Sequence, residues 1–405
     1  VSIERVGVVG AGTMGGGIAQ VAALGGFETI LYDEFPEVAF VRAANIGEDL
    51  AKGAARRRWS EEEAEAASER VQATEDIAEL VGCDLVIEAA PEKLDLKREI
   101  FTRLAELLGP EAVLATNTSS LRVSEIAAGV PRPERVVGMH FFNPPALMKL
   151  VEIVAAERSS EQALAAATEV GERMGRTPIR AKDSPGFVAN RLARPFTLES
   201  LRMLGDGLAD AARIDRIVRL GGGFRMGPFE LLDLIGLDVN LEIARSFFAQ
   251  GGEVERWRPS PIQEKLVAEG RLGRKSGRGY YLYGEGHARE LDPELGILAP
   301  TLDLEKLGRI DDRAEEVLSR LFAQIANEAA FAIEEEIASA ADMETAMRLG
   351  FNWPVGPLKF AEKIGPKRAV ELLERLQETN GEAYAQAPVL RRAAERGVEL
   401  RELGR

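Results

Sequence analysis

Along the first half of the chain, short apolar runs alternate with longer stretches whose apolar positions recur every three or four residues. The runs are Ile3–Val9, Thr29–Tyr32, Asp84–Glu88, Ala112–Thr116 and Arg135–Phe141, and the longer stretches include Met14–Leu24, Glu37–Lys52 and Leu94–Leu107. Runs of the first kind are strand-like, and the second kind is one face of an amphipathic helix, so the alternation predicts βαβ units and a parallel sheet. Leu85-Val86-Ile87 is apolar throughout, as a strand buried on both faces must be. Asp183-Ser184-Pro185-Gly186 is a cluster of turn formers that predicts the end of this region. Beyond it strand-like runs nearly vanish. Helical spacing carries through Asn190–Leu204, Ile214–Leu220 and Glu230–Ile235. A polar stretch with Gly and Pro follows, from Gly284 to about Asp312, and a further helical region runs to Arg405. The expected domains are 1–183, 187–284 and 313–405.

The two helical regions resemble each other. A gap-free shift of 129 residues sets Arg191-Leu192 on Arg320-Leu321, Glu199 on Glu328, and Arg219-Leu220-Gly221 on Arg348-Leu349-Gly350. It also sets Gly227-Pro228 on Gly356-Pro357 and Ile235-Gly236 on Ile364-Gly365. Helical segments of like composition coincide by chance at scattered positions, but shared Gly-Pro and Ile-Gly landmarks in one register point to duplication. The second copy is degenerate, with Ser319 where Asn190 stands in the first.

Composition narrows the function. The 405 residues carry a net charge of −15, and an acidic surface repels nucleic acid and anionic lipid. One cysteine, Cys83, excludes an intramolecular disulfide framework and a cysteine-cluster zinc site. Two histidines, His140 and His287, argue against a histidine-rich metal site, so no metal is expected. No apolar run has the length of a membrane span, and the chain opens on a strand-like pattern with no basic, apolar leader. A cytoplasmic protein with no membrane and no nucleic-acid partner is expected.

Gly10-Ala11-Gly12-Thr13-Met14-Gly15 follows the apolar run Val6–Val9 and opens the helical stretch. A G-x-G-x-x-G pattern is weak alone, but between a strand and a helix it is the dinucleotide fingerprint. Gly10 permits the tight turn, Gly12 lets a pyrophosphate approach the backbone, and Gly15 lets helix and strand pack closely. Asp33 ends the second strand, where a carboxylate can bind both ribose hydroxyls. Glu34 follows it, with no Arg there to welcome a 2′-phosphate, which favours NAD over NADP. A second pattern is His140-Phe141-Phe142-Asn143-Pro144-Pro145 followed by Leu150-Val151-Glu152-Ile153-Val154. If these two strands pair antiparallel about a turn near Ala146, His140 and Glu152 face each other with Cβ atoms about 5 Å apart. The carboxylate would then fix the tautomer and stabilise the imidazolium. Such a pair is what alcohol oxidation needs, a base to take the hydroxyl proton as hydride leaves. A lone histidine in an apolar strand is more often a packed core residue; the glycine fingerprint and the opposed glutamate reverse that preference here.

These residues make the chain similar to the L-3-hydroxyacyl-CoA dehydrogenase family over most of residues 1–283. The likeness rests on the glycine fingerprint, Thr116-Asn117-Thr118-Ser119-Ser120, His140-Phe141-Phe142-Asn143-Pro144, and Lys182-Asp183-Ser184-Pro185-Gly186-Phe187 with Asn190-Arg191. It continues in Gly227-Pro228-Phe229-Glu230-Leu231-Leu232-Asp233 and in 273–281. The third region resembles the extra helical domain of long bacterial members. The resemblance implies an α/β Rossmann-type N-terminal domain followed by two tandem all-α domains. It implies NAD-dependent oxidation of a short L-3-hydroxyacyl-CoA, such as 3-hydroxybutyryl-CoA, in fatty-acid or related acyl-CoA degradation. By the same likeness His140 is the base, Glu152 its partner, Ser119 the contact to the substrate's 3-oxygen, and Asn190 a further active-site member. Gly10, Gly12, Thr13, Met14, Gly15, Asp33, Glu92, Lys97 and Asn117 are the implied cofactor contacts. Ser119 and Asn190 have a plainer alternative as helix caps, and Glu92 with Lys97 as a solvated helix pair. Lys52 and Arg56-Arg57-Arg58 form a basic cluster, either a solvated face or a contact for CoA phosphates. In single-copy relatives the helical domain forms the dimer interface, which suggests an intramolecular pseudo-dimer here, with a homodimer left open. Another β-hydroxyacid dehydrogenase, or a catalytically silent NAD-binding or structural relative, are the competing readings.

Overall fold

The computed structural model describes residues 3–284, 289–291 and 311–404. His287 and most of the expected 284–312 linker lie outside the described residues. The chain divides into two compact units, Val1–Phe187 and Val188–Arg405, and the two helical regions lie together in the second. Among the described residues no helix is long and apolar enough to cross a membrane.

The first unit is built on one eight-stranded sheet. Its strands are β1 (Arg5–Val9), β2 (Glu28–Tyr32), β3 (Val71–Thr74), β4 (Leu85–Glu88), β5 (Val113–Thr116), β6 (Val136–Phe141), β7 (Leu150–Ala155) and β8 (Thr177–Lys182). The order is β3-β2-β1-β4-β5-β6-β7-β8. Strands β3 to β6 are all parallel, β7 runs antiparallel to β6, and β8 is parallel to β7. The helices are α1 (Thr13–Leu24), α2 (Pro36–Ala55), α3 (Glu61–Glu69), α4 (Leu94–Leu107), α5 (Val123–Ala127) and α6 (Glu161–Arg173). The strand order turns about at β1, between β2 and β4, which opens a crevice at the carboxyl ends of these strands. This is the Rossmann-type arrangement that the alternating pattern predicts. Among the elements that escape that pattern are three with a plain reason. β8 is an edge strand carrying Pro178 and alternating Arg180 and Lys182 outward, β3 is four residues of mixed exposure, and α6 is dominated by Ala and Glu.

The second unit contains α7 (Ala189–Gly205), α8 (Ala211–Gly222), α9 (Pro228–Ile235), α10 (Leu237–Gln250), α11 (Pro261–Ala268) and a short antiparallel pair, β9 (Tyr281–Tyr283) with β10 (Arg289–Leu291). The later region supplies α12 (Ala314–Glu334), α13 (Ala340–Gly350), α14 (Pro357–Ile364), α15 (Pro366–Asn380) and α16 (Pro388–Arg396). The repeated landmarks have a physical origin. Asp215 accepts from the Phe229 and Glu230 N–H groups at 2.9 Å each and so caps α9. Glu344, in the same register, accepts from Leu358 and Lys359 at 2.8 and 3.4 Å and caps α14. A Cβ on Gly227 would come within 2.3 Å of Asp215, and one on Gly356 within 2.4 Å of Glu344. The Gly-Pro pairs are therefore required by the caps, and Gly236 and Gly365 follow at φ 101° and 78°.

α7 and α12 pack together and exchange charges across their contact. Arg191 donates from Nε to Glu328 at 2.8 Å and from Nη1 to Glu335 at 2.6 Å. Arg320 donates from Nε to Glu199 at 2.8 Å and from Nη1 to Asp206 at 2.8 Å. The 129-residue register matches Arg191 with Arg320, Glu199 with Glu328 and Asp206 with Glu335. Each ion pair thus recurs with the two segments' roles exchanged, the pattern of a self-complementary interface. Phe224 and Trp353, matched in the same register, meet edge to face at 5.3 Å.

Burial opposes ionisation of Glu328, but the adjacent Arg256 and Arg191 guanidiniums hold its carboxyl below the usual range. A carboxyl depressed by folding stabilises the protein above its unfolded pKa, and the gain is lost as pH falls through the lower folded value. We therefore expect Glu328→Gln to lower unfolding free energy by about 3 kcal/mol at pH 7. The gap to the unsubstituted protein should close below about pH 4. Urea melts followed by tryptophan fluorescence at several pH values check both statements.

Candidate active site

The glycine loop sits where β1 ends. Gly10 has φ 100°, and its N–H reaches the Tyr32 carbonyl at 2.8 Å, so the turn is locked onto β2. A Cβ on Gly15 would fall 1.7 Å from the Gly10 carbonyl oxygen, which fixes glycine there for close packing. A Cβ on Gly12 would meet nothing within 4 Å. That open side, with no side chain capping α1 at Gly12, leaves the first-turn N–H groups around Thr13 and Met14 available to an anion. Asp33 is held by two backbone donors, Ala11 N–H at 2.7 Å and Phe35 N–H at 3.0 Å. A carboxylate has capacity beyond two bonds, so it can still accept from ribose hydroxyls. The residues present fit a dinucleotide. Sequence reasoning missed Arg42 in α2, whose Nε donates to the Ala11 carbonyl at 3.3 Å and whose stem lies against Gly16. Nothing in the spacing of the fingerprint marks it.

Glu92 and Lys97 do not form a solvated pair. Lys97 is 1% exposed, with Nζ 2.6 Å from Glu88 and 3.3 Å from both Glu92 and the Ala90 carbonyl. Glu88, fully buried at the end of β4, also accepts from Thr116 Oγ1 at 2.7 Å. Glu92 accepts from Thr118 Oγ1 at 2.5 Å, from the N–H groups of Ser119 and Ser120 at 3.0 Å each, and from Ser120 Oγ at 2.9 Å. Burial opposes its ionisation, yet Lys97 and these donors hold its carboxyl below the usual range. Together the three charges tie the ends of β4 and β5 and fix the loop bearing Ser119. Glu88 was not singled out in the sequence; an acid closing an apolar parallel strand is the signal that could have found it.

β6 and β7 pair in the register expected from their sequences, His140 opposite Glu152. His140 Nδ1 lies 2.6 Å from Glu152 Oε2, with the ring 5% exposed and the carboxylate fully buried. An ionised carboxylate only accepts, so Nδ1 carries the hydrogen and Nε2 presents its lone pair. No described residue bonds Nε2. Phe142 and Phe187 flank the ring at centroid distances of 4.7 and 5.7 Å. Asn117 Oδ1 accepts from the Phe141 N–H at 2.8 Å and clamps the end of β6 to that of β5. Ser119 is exposed on its loop, its N–H given to Glu92, and its hydroxyl bonds no described residue. The first unit thus carries the glycine loop, Asp33, Asn117, Ser119, His140 and Glu152 at the carboxyl edge of the parallel strands. Asn190 belongs to the second unit, in the first turn of α7, half-buried and with no described partner.

Comparison with known proteins agrees with this geometry. The family described as 3-hydroxyacyl-CoA dehydrogenase, NAD binding domain, matches residues 5–184. The family described as 3-hydroxyacyl-CoA dehydrogenase, C-terminal domain, matches twice, at 186–283 and 317–405. The chain is 35% identical to a 3-hydroxyadipyl-CoA dehydrogenase of Escherichia coli K12, over 97% of this chain and 98% of the relative. It is 40% identical to a probable 3-hydroxybutyryl-CoA dehydrogenase of Bacillus subtilis, over 70% of this chain and 98% of the relative. Among solved structures, a 3-hydroxybutyryl-CoA dehydrogenase from Escherichia coli K12 superposes with a TM-score of 0.87 at 34% identity, covering 98% of this chain and 99% of the other.

The two glycines give opposite expectations. Gly12→Ala fits the free protein but puts a methyl where the pyrophosphate approaches, an overlap worth about 1–3 kcal/mol, or roughly 10–100-fold in Kd. Gly15→Ala drives a methyl into the backbone and should lower stability by about 1–3 kcal/mol or more. NADH fluorescence titration and thermal melts of both variants separate the two effects. Unchanged NADH affinity in Gly12→Ala would refute the assignment of the loop.

Proposed function

The chain belongs to the 3-hydroxyacyl-CoA dehydrogenase family, and on that premise we propose that it oxidises short L-3-hydroxyacyl-CoA thioesters to 3-oxoacyl-CoA, in acyl-CoA degradation in the cytoplasm. The observation that carries the reading is the His140–Glu152 pair at 2.6 Å, which leaves Nε2 free at the same edge as the glycine loop. Bound NAD supplies the acceptor for the hydride that leaves C3. The chain's own residues manage the proton and the charge. Nε2 of His140 takes the hydroxyl proton, and Glu152 offsets the imidazolium that results inside a nearly dry site. The Ser119 hydroxyl, on a loop pinned by Glu92, holds the 3-oxygen, and Asn190 completes the polar contacts to the reacting end. Lys97 acts on the cofactor side only through Glu88 and Glu92, because its ammonium is already engaged by them.

We also read the 313–405 region as a degenerate copy of 187–284 that replaces a partner subunit. The exchanged ion pairs of Arg191 and Arg320 support this, as does the double match of the C-terminal family. With Ser319 in place of Asn190, the chain would hold one active site. The relatives' names span monocarboxylic and dicarboxylic acyl groups, 3-hydroxybutyryl and 3-hydroxyadipyl.

His140→Gln should lower kcat by roughly 10²–10⁴ while NADH binding persists, because only proton transfer is lost. Glu152→Gln should also be slow, since the imidazolium loses its counter-charge. NADH absorbance with acetoacetyl-CoA as substrate, beside fluorescence titration of NADH, measures both. Turnover by His140→Gln at the unsubstituted rate would sink the mechanism. With the same assay, NAD should exceed NADP in kcat/KM, and Asp33→Ala should narrow that gap mainly by weakening NAD.

A further inference from the structure

Ala11, between the first two glycines of the loop, is held by two side chains of opposite charge. Its N–H donates to Asp33 Oδ2 at 2.7 Å, and its carbonyl accepts from Arg42 Nε at 3.3 Å. Asp33 follows β2 and Arg42 lies in the second turn of α2, so one βα unit brings a carboxylate and a guanidinium to the same residue. The arginine is seated there by a glycine of its own. A Cβ on Gly16 would fall 2.3 Å from Arg42 Cδ and 2.8 Å from its Nε. The fingerprint needs glycine at 10, 12 and 15 but not at 16, so the arginine stem is what demands it there.

The charge so placed has work left to do. Arg42 is half-buried, and among the described residues only its Nε finds an acceptor, which leaves the donors of both Nη groups unused. No ion pair joins Arg42 to any described carboxylate. The positions one turn away on α2 are Val38, Ala39, Asn45 and Ile46, none of them charged. The second acid of this corner, Glu34, is engaged elsewhere: it accepts from the Tyr32 hydroxyl at 3.0 Å and bonds neither Ala11 nor Arg42. In sequence Glu34 follows Asp33 with no arginine beside it. Folding removes that glutamate from the loop and supplies an arginine from nine residues beyond Asp33.

Dinucleotide sites distinguish NAD from NADP at the 2′ position of the adenosine ribose, where a carboxylate takes the hydroxyl or a nearby arginine accommodates the phosphate. Both groups are present here, bonded to one residue. We infer that Arg42 is a specificity residue that meets the ribose 2′ substituent, and that the Asp33 carboxylate alone closes this pocket to a 2′-phosphate. The inference rests on the dinucleotide reading of the glycine loop. An ionised Asp33 accepts from a hydroxyl and repels a phosphate, which gives NAD the advantage. Without that charge, the two Nη groups offer a phosphate the forked donors that suit it.

The test is direct binding, by fluorescence titration of NADH and NADPH on the full-length protein, Asp33→Ala, Asp33→Ala/Arg42→Met and Asp33→Ala/Arg42→Lys. Methionine keeps an unbranched stem against Gly16 and removes the charge. In Asp33→Ala the two dinucleotides should bind with Kd values within about tenfold of each other. Adding Arg42→Met should weaken NADPH by roughly 10–100-fold and NADH by no more than about threefold, with Arg42→Lys in between. Equal weakening of both dinucleotides would overturn the inference by making Arg42 a brace of the loop. So would an unchanged NADPH Kd on adding Arg42→Met, or no NADPH binding by Asp33→Ala. Loss of both ligands with a lower melting temperature would overturn it too, by making Arg42 structural. Failure of the unsubstituted protein to bind NADH would instead overturn the dinucleotide reading, and this inference with it. No thioester enters these titrations, so the choice of acyl substrate stands or falls separately.

Discussion

Removing an ion from water costs several kcal/mol even after relaxation, so a charge survives inside a protein only beside an opposite charge and enough hydrogen bonds. Most of what is specific in this molecule follows from that constraint. Lys97 is buried because Glu88 and Glu92 surround its ammonium, and their remaining oxygens then bind the threonine and serine groups of the neighbouring loop. Glu152 is buried because His140 donates to it from Nδ1, which fixes the tautomer of the imidazole. Arg191 and Arg320 are buried because each finds a glutamate on the other helical segment. In each case charge pairing does more than neutralise. It sets the position of a loop, a tautomer or a whole helix.

The antiparallel β7 has a similar consequence. A wholly parallel sheet needs a long crossover between neighbouring strands, whereas an antiparallel neighbour needs only a turn. By reversing after β6, the chain brings a second strand beside the histidine within a few residues and places a carboxylate directly across from it. The His140–Glu152 pair is therefore local in sequence although it lies inside the sheet. The glycine loop and Asp33 are local in the same sense, joined through the main chain of Ala11.

Duplication left the helical unit with two copies under different constraints. Caps and interface charges recur in both: Asp215 with Glu344, Arg191 with Arg320, Glu199 with Glu328. Each is needed twice, because the contact is reciprocal and each copy's helices need their caps. Asn190 and Arg194 occur once, and their counterparts are Ser319 and Ala323.

The sequence by itself determined the parallel centre of the sheet, the glycine loop, the His140–Glu152 register and the repeat. These depend on short-range periodicity, turn chemistry and identities at a constant offset, all of which survive without knowledge of distant partners. It did not reveal β3, β8 or α6, whose edge positions and Ala-rich composition weaken the pattern. It identified Glu92 and Lys97 as positions of interest but left open whether they were solvated. Only the tertiary structure decided that, by enclosing Lys97 between β4 and α4 against an acid, Glu88, that spacing had not singled out. Arg42 against Ala11, the exchanged pairs of Arg191 and Arg320, and the missing partner of Arg194 were equally undecided before folding. The physical reason is common to the paired ones: a charge's partner is chosen by proximity in space, and for these residues the opposite charge or carbonyl lies from nine to well over a hundred residues away in sequence.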